Sequence, residues 1–304
     1  VEREGLEILE SEGLRVDCFY DLDRDSLLEL VGGYEVLIVR GRTRVDREVV
    51  DRGERLLVVA RAGSGIDNID VEYAVRKGIS IVNAPESPAQ SVAELTIGLL
   101  IAAARSIPAY DKLVKGGLWP KGAYTGIELC GKTLGVVGLG RIGSRVASMA
   151  RAIGMRVVAY DVADVRERAE EVGAEVAGEL EELLAEADAV TLHVPLTPYT
   201  HHMIGERELE LMKDGVILVN TSRGPVVDSR ALLRALDSGK VRAAALDVLE
   251  HEPPVEPWEV ELVRHPRTVV TPHVGSSTAE ARKRISIEVA YNILEALERM
   301  VERR

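Results

Sequence analysis

The stretch TLGVVGLGRIGSRVASMARAIGMRVVAYD, residues 133–161, holds two short β-branched runs separated by a helix-length amphipathic segment. Gly138, Gly140 and Gly143 stand where the first run ends and the helix begins. In a strand–turn–helix of this kind the first glycine allows the tight turn and the second lets a pyrophosphate approach the backbone. The third lets helix and strand pack closely, while the helix N-terminus offers free N–H groups and the positive end of its dipole. The second run, RVVAY, ends in Asp161, 18 residues beyond Gly143, where an acid can accept from the hydroxyls of an adenosine ribose. The glycines alone are a weak signal, but in this context they predict a dinucleotide cradle. Asp161 would repel a 2′-phosphate, and Val162, Ala163 and Asp164 supply no cation to receive one, which favours NAD over NADP.

The same rhythm extends in both directions. EVLIVR (35–40), LLVVARA (56–62), ISIVNA (79–84), DAVTLHVP (188–195), VILVNTS (216–222), AAALDVLE (243–250) and TVVTPH (268–273) read as further buried strands. Helical segments such as DREVVDRG, SRVASMARAIG, ELEELLAEA and SRALLRALDSG lie between the runs, the last closed by Gly239. This alternation predicts right-handed βαβ units and parallel sheets. Long helices are expected near Ser91–Ser106 and from Ser277 to the end, the latter with Ile285, Val289, Ile293 and Leu297 on one stripe. The reading is two α/β domains joined by these helices. One is a Rossmann-type doubly wound domain over 93–283, and the other a smaller flavodoxin-like substrate domain made of 1–92 and 284–304.

Composition narrows the function classes. With 304 residues, 46% apolar and 29% charged, the chain has enough material for two cores. A net charge of −12 argues against a general nucleic-acid binder. The longest apolar run, LTIGLLIAAA at 95–104, is too short to span a bilayer. Cys18 and Cys130 form neither a disulfide framework nor a zinc-ligand pattern, so a reduced cytoplasmic protein without metal is expected. Gln90 is the only glutamine and arginine dominates the cations, a bias that suggests a hot growth environment.

A dinucleotide site implies hydride transfer, which needs a base for the substrate hydroxyl and a cation for its oxygens. Arg223 in NTSRGPVVD, Glu252 in LDVLEHEPP and His273 in TPHVGSST each lie just beyond the C-terminal end of an expected strand, where open parallel sheets bind ligands. By itself His273 is better explained by a buried ring bonded to a carbonyl, and the other motifs are what turn the reading. His201 and His202 lack metal-ligand spacing and read as loop surface, and His193 as part of the adenine side of the cleft.

Together with RAGSGIDNID, GLGRIG and HVPLTPYT, in this order, these motifs make the whole chain resemble the D-isomer-specific 2-hydroxyacid dehydrogenases. The resemblance implies His273 as acid–base, Glu252 as its carboxylate partner and Arg223 as the clamp on the substrate's carboxylate and carbonyl. Glu252 is selected over Glu250 and His251 because the family places its glutamate directly before the prolines. The resemblance further implies cofactor contacts at Ser64, Gly138, Gly140, Arg141, Ile142, Gly143, Asp161, Val194, Pro195, Thr221, Asp247 and Gly275, with Asp247 receiving the nicotinamide carboxamide. A homodimer through the cofactor domain is expected on the same ground.

Within the family, RAGSGIDNID looks most like the phosphoglycerate dehydrogenase branch. That implies oxidation of D-3-phosphoglycerate to 3-phosphohydroxypyruvate, the first step of serine biosynthesis. Residues 36–61 carry seven arginines and a local excess of three positive charges, a patch suited to a phosphorylated anion. Arg40 and Arg61 are the candidates for phosphate and carboxylate, with Gly63, Ser64 and Gly65 in the substrate loop and N–H groups from Ala62 to Gly65 as an anion nest. Pro88-Ala89 departs from the polar pair the family often has there. The alternatives are a glyoxylate/hydroxypyruvate reductase, a broad D-2-hydroxyacid dehydrogenase and, more distantly, an NAD(H)-sensing binding protein. The chain begins at what reads as the first helix, so a preceding strand is expected to be missing from it. It ends without a C-terminal regulatory domain, so no serine feedback through one is expected.

Overall fold

The computed structural model describes residues 1–302. It divides into two units, one formed by Val1–Ala89 with the chain from Ser276 onward, the other by Gln90–Gly275. The divisions fall at 89/90 and 275/276, where the sequence suggested 92/93 and 283/284. The long helices explain this. From Ala93 to Ala104 the apolar face of helix Ala89–Arg105 belongs to the larger unit's core. Ala281 and Ile285, at the start of helix Ala279–Glu302, already pack in the smaller one.

In the smaller unit three parallel strands, β1 (Val36–Val39), β2 (Val58–Arg61) and β3 (Ser80–Asn83), lie side by side in chain order. Alternate residues face opposite layers, as a period of two requires. Val39 and Val59 pack with Leu27, Val49 and Ala74 on one side. Val58 and Ala60 pack with Leu9, Ile285 and Val289 on the other.

The larger unit is built on a seven-stranded sheet. Its strands are β4 (Thr133–Val137), β5 (Arg156–Tyr160), β6 (Glu175–Val176), β7 (Ala189–Leu192), β8 (Val216–Asn220), β9 (Val241–Leu246) and β10 (Thr268–Val270). They run in the order β10-β9-β8-β7-β4-β5-β6, and every neighbouring pair is parallel. Strands buried on both faces read as continuous apolar runs, which is why β4, β7 and β8 were visible in the sequence. The edge strand β6 was not: it is two exposed residues, Glu175 and Val176, without an apolar pattern. Val137, Leu192, Leu218 and Leu246 form one core layer with Leu183 and Leu232, and Val136, Ala159, Val219 and Ala245 form the other with Leu100 and Val146.

The chain leaves β4 toward β5 and β6, then returns to the other side of β4 to lay down β7. The order of winding therefore reverses between β4 and β7, which opens a crevice at their carboxyl ends. Among the described residues no single helix is long and apolar enough to cross a membrane.

Candidate active site

The glycine-rich turn sits at this reversal. Gly138 has φ +93°, and a Cβ there would lie 2.7 Å from the His193 carbonyl at the end of β7. A Cβ on Gly143 would meet the Gly138 carbonyl at 2.0 Å, so both glycines are required by close approach of backbone to backbone. Gly140 differs, since a Cβ there would meet nothing within 4 Å. The room beside it opens at the N-terminus of helix Arg141–Ala152, whose cap makes no side-chain hydrogen bond. Uncapped N–H groups beside an open space form an anion site of pyrophosphate type.

Asp161 closes the other side. Its carboxylate accepts from Leu139 N at 2.9 Å and Ala163 N at 3.0 Å, and the Gly138 N–H donates to the Tyr160 carbonyl at 2.8 Å. The acid at the end of β5 is thus bonded to the glycine turn, with lone pairs left for ribose hydroxyls. The residues present fit a dinucleotide. Of the other expected contacts, Ile142 and Val194 are half-buried and Arg141 and Pro195 exposed around the same turn. Thr221 is buried, and its hydroxyl bonds that of Thr96 at 2.8 Å.

His193 follows β7. Its Nε2 lies 3.0 Å from the Thr191 hydroxyl, while Nδ1 is buried without a partner although part of the residue reaches solvent. Burial pushes its pKa down to about 3, so the ring is neutral.

Farther along the same edge, the ends of β8, β9 and β10 bring Arg223, Glu252 and His273 into one set of interlocked loops. Asn220, buried at the end of β8, accepts from the Ser222 N–H and hydroxyl and donates to the Arg223 carbonyl at 2.8 Å. The Arg223 guanidinium bonds the Ser222 carbonyl at 2.7 Å. Next in the chain, a Cβ on Gly224 would come within 1.9 Å of the Leu249 carbonyl. Only glycine lets the Arg223 loop lie against the loop that carries Glu252.

Asp247 at the end of β9 is 2% exposed. It accepts from the Thr271 hydroxyl at 2.6 Å and from Val274 N and Gly275 N at 2.9 Å each. All three donors belong to the His273 loop, and the His273 N–H donates to the Asp247 carbonyl at 2.9 Å. The sequence suggested a nicotinamide contact for Asp247; what the structure gives its carboxylate is the loop of His273 to hold. That residue stands at φ +55°, a left-handed conformation uncommon outside glycine, and its ring is exposed. Its Nδ1 lies 2.7 Å from Glu252 Oε2. With Nδ1–H donated to the carboxylate, Nε2 carries the lone pair and the pair forms an oriented acid–base group.

His202, read from sequence as loop surface, bonds Glu250 at 3.0 Å, while His201 stacks on it at 4.1 Å and is exposed. In the smaller unit Arg61 ends β2, and Arg40, which follows β1, is exposed. The Arg61 guanidinium bonds the Ala62 carbonyl at 3.3 Å and occupies the space a Gly63 side chain would fill. Ala62 N and Gly63 N donate to the Val39 and Arg61 carbonyls, so the expected anion nest narrows to Ser64 and Gly65. Among the described residues no group of three or more His, Cys, Asp or Glu side chains is placed to hold a metal ion.

Comparison with known proteins gives this geometry a family context. Residues 97–275 match the model of the D-isomer specific 2-hydroxyacid dehydrogenase, NAD binding domain, and NAD is therefore the dinucleotide of the cradle. The chain is 47% identical over 297 residues to a D-3-phosphoglycerate dehydrogenase of Methanocaldococcus jannaschii, covering 98% of this chain and 56% of that one. It is 45% identical to a hydroxypyruvate reductase of Thermotoga maritima, covering 91% of this chain and 89% of that one. A solved structure of D-lactate dehydrogenase from Aquifex aeolicus, complexed with NAD and lactic acid, is 34% identical with a TM-score of 0.82, covering 90% of this chain and 86% of that one. The chain spans about half the length of the first curated relatives it matches.

Two outcomes follow. Gly140→Ala should leave the melting temperature unchanged yet weaken NADH binding about tenfold or more, whereas Gly143→Ala should lower both, as read by NADH fluorescence and thermal melts. His193 stays neutral when folded but takes a proton near pH 6.5 when unfolded. Because the unfolded chain binds the extra proton, stability is lost as pH falls from about 6.5 to 3. His193→Asn should flatten that pH dependence by about one proton in denaturant titrations.

Proposed function

Since the chain belongs to the D-isomer specific 2-hydroxyacid dehydrogenase family, we propose that it is an NAD-dependent D-2-hydroxyacid dehydrogenase. The observation that carries the reading is the 2.7 Å pair of His273 and Glu252 in loops interlocked with that of Arg223. NAD, when bound, supplies the acceptor for the hydride of substrate C2. His273 takes the C2 hydroxyl proton on Nε2, and Glu252 fixes the ring so that this nitrogen faces the substrate. Arg223 holds the substrate's carboxylate and the oxygen that becomes the carbonyl, stabilising negative charge on it. In reduction the same groups act in reverse, with the imidazolium returning the proton.

The substrate we propose is D-3-phosphoglycerate, oxidised to 3-phosphohydroxypyruvate. Support comes from the RAGSGIDNID loop, from the arginine excess at 36–61 and from the likeness to the Methanocaldococcus jannaschii enzyme. Arg40 and Arg61 take the phosphate and carboxylate roles, with Ser64 and Gly65 N–H groups assisting. A reductase of unphosphorylated acids is the second reading. It is favoured by buried Pro88-Ala89, which lacks polar side chains, and by the 45% identity to the Thermotoga maritima hydroxypyruvate reductase.

We also propose a homodimer through the larger unit. Helix Ile107–Lys115 and the segment after it expose Ile107, Val114, Leu118 and Trp119 around the edge-to-face contact of Tyr110 and Tyr124. Apolar side chains so grouped are the usual mark of a protein contact.

The test is NADH formation at elevated temperature with 3-phosphoglycerate, glycerate, glycolate and D-lactate. The phosphorylated acid should turn over fastest. Arg40→Ser and Arg61→Ser should raise KM for it more than for glycerate, and His273→Ala should lower kcat about 100-fold or more on every substrate. Faster turnover of glycerate or glycolate would promote the reductase reading. Absence of turnover with all four acids would count against a dehydrogenase.

A further inference from the structure

Glu252 lies in an exposed, proline-interrupted loop between β9 and helix Pro257–Arg264, yet its carboxylate must stay within hydrogen-bond reach of His273. Something has to hold the loop, and Glu259 is built to do it. Its side chain is 1% exposed although it sits in the first turn of that helix. Oε1 accepts from His251 N and His251 Nδ1, each at 3.0 Å. Oε2 accepts from Val255 N at 3.2 Å, Glu256 N at 3.1 Å and, as a longer branch, His251 Nδ1 at 3.1 Å.

The donors lie on both sides of Glu252 in the chain, residue 251 before it and residues 255 and 256 after it. One carboxylate therefore closes the base of the loop. A plain capping box needs from its glutamate only the bond to the N-cap N–H, here that of Glu256. The additional bonds and the burial have no role in capping. Burial alone would raise the Glu259 pKa, but the Glu256, His251 and Val255 donors outweigh it and keep the group ionised.

The helix is itself anchored. Arg230, from helix Ser229–Ser238, lies 3.6 Å over the Trp258 ring, and Leu262 is buried in the core of the larger unit. The preceding end of the loop is tied separately. Glu250 accepts from the Ser229 N–H at 2.9 Å and pairs with His202 at 3.0 Å. Three consecutive side chains thus divide their work: Glu250 is turned inward onto Ser229 and His202, His251 bonds Glu259 with its ring half exposed, and Glu252 turns toward His273.

We propose that Glu259 is a positioning residue for the reaction, acting through Glu252 by clamping residues 251, 255 and 256, so that the Glu252–His273 pair is preassembled. This rests on the acid–base reading of that pair. A shift of about 1 Å in a supporting group can cost 100-fold in rate, so a loosened clamp should appear in turnover before it appears in binding.

The experiment compares Glu259→Gln, Glu252→Gln and the double variant on whichever of the four acids turns over fastest. Glutamine keeps the volume but turns an NH2 group toward two of the donors. Glu259→Gln should lower kcat about tenfold or more while KM and the NADH dissociation constant stay within about twofold. The double variant should be no slower than Glu252→Gln alone, since the clamp has nothing left to position.

A Glu259→Gln enzyme with wild-type kcat, or penalties that multiply in the double variant, would overturn the proposal. If Glu252→Gln itself keeps full kcat, the acid–base reading fails and the clamp fails with it. If only Glu252→Gln is slow, the clamp alone fails. Should Glu259→Gln not bind NADH, His251→Phe replaces it, removing only the ring donor. A smaller loss of kcat, absent in the Glu252→Gln background, then supports the clamp, and an unchanged or multiplying rate rejects it.

Discussion

The carboxylate of Asp247 is the constraint on which the site depends. It is buried at the end of β9 and accepts three hydrogen bonds from the loop after β10. Hydrogen bonds to a charged acceptor contribute about 1.5–3 kcal/mol each, against a cost of several kcal/mol for taking the ion out of water. Three such bonds offset that cost only while the loop keeps its geometry. The left-handed backbone of His273 is held by them and by the bond from its own N–H to the Asp247 carbonyl. Residues in sparsely populated backbone regions persist where the surroundings over-determine them, and here the surroundings are identifiable.

The parallel sheet makes this economy available. All seven strands of the larger unit point the same way, so every loop that follows a strand emerges at one edge. The glycine turn after β4 and Asp161 after β5 form the cradle, while Asn220, Asp247 and the loop after β10 arrange the acid–base group. Polar side chains at strand ends do the joining throughout: the Asp161 carboxylate to Leu139, the Asn220 amide through its oxygen to Ser222 and its nitrogen to Arg223, the Asp247 carboxylate to Thr271 and Gly275. The sheet thus supplies a rigid edge, and short polar side chains convert it into a site.

How much of this the sequence disclosed depends on whether the signal was local. Strands buried on both faces leave apolar runs, and the turn of Gly138, Gly140 and Gly143 leaves its spacing, so the cradle was legible. The pairing of Glu252 with His273 was legible through motif order. The work of Asp247 on the His273 loop was not, because its donors lie 24 to 28 residues away. Thr96 was missed as the partner of Thr221 for the same reason, at a separation of 125 residues. Glu259 looks like one glutamate among many until the fold buries it. His202 was read as surface because nothing in its neighbourhood points to Glu250. In each case the residue type was visible, and what escaped was a partner or a burial imposed by the fold.

The most direct measurement is transfer of deuterium from C2. D-3-phosphoglycerate and D-glycerate labelled with deuterium at C2 are oxidised with NAD by the wild type and by His273→Ala, and the NADH formed is weighed by mass spectrometry. If C2 delivers hydride while His273 takes the hydroxyl proton, each NADH carries one deuterium, and the variant binds NADH normally but forms it at least about 100-fold more slowly. Unlabelled NADH, or a variant that keeps the wild-type rate, would contradict that chemistry.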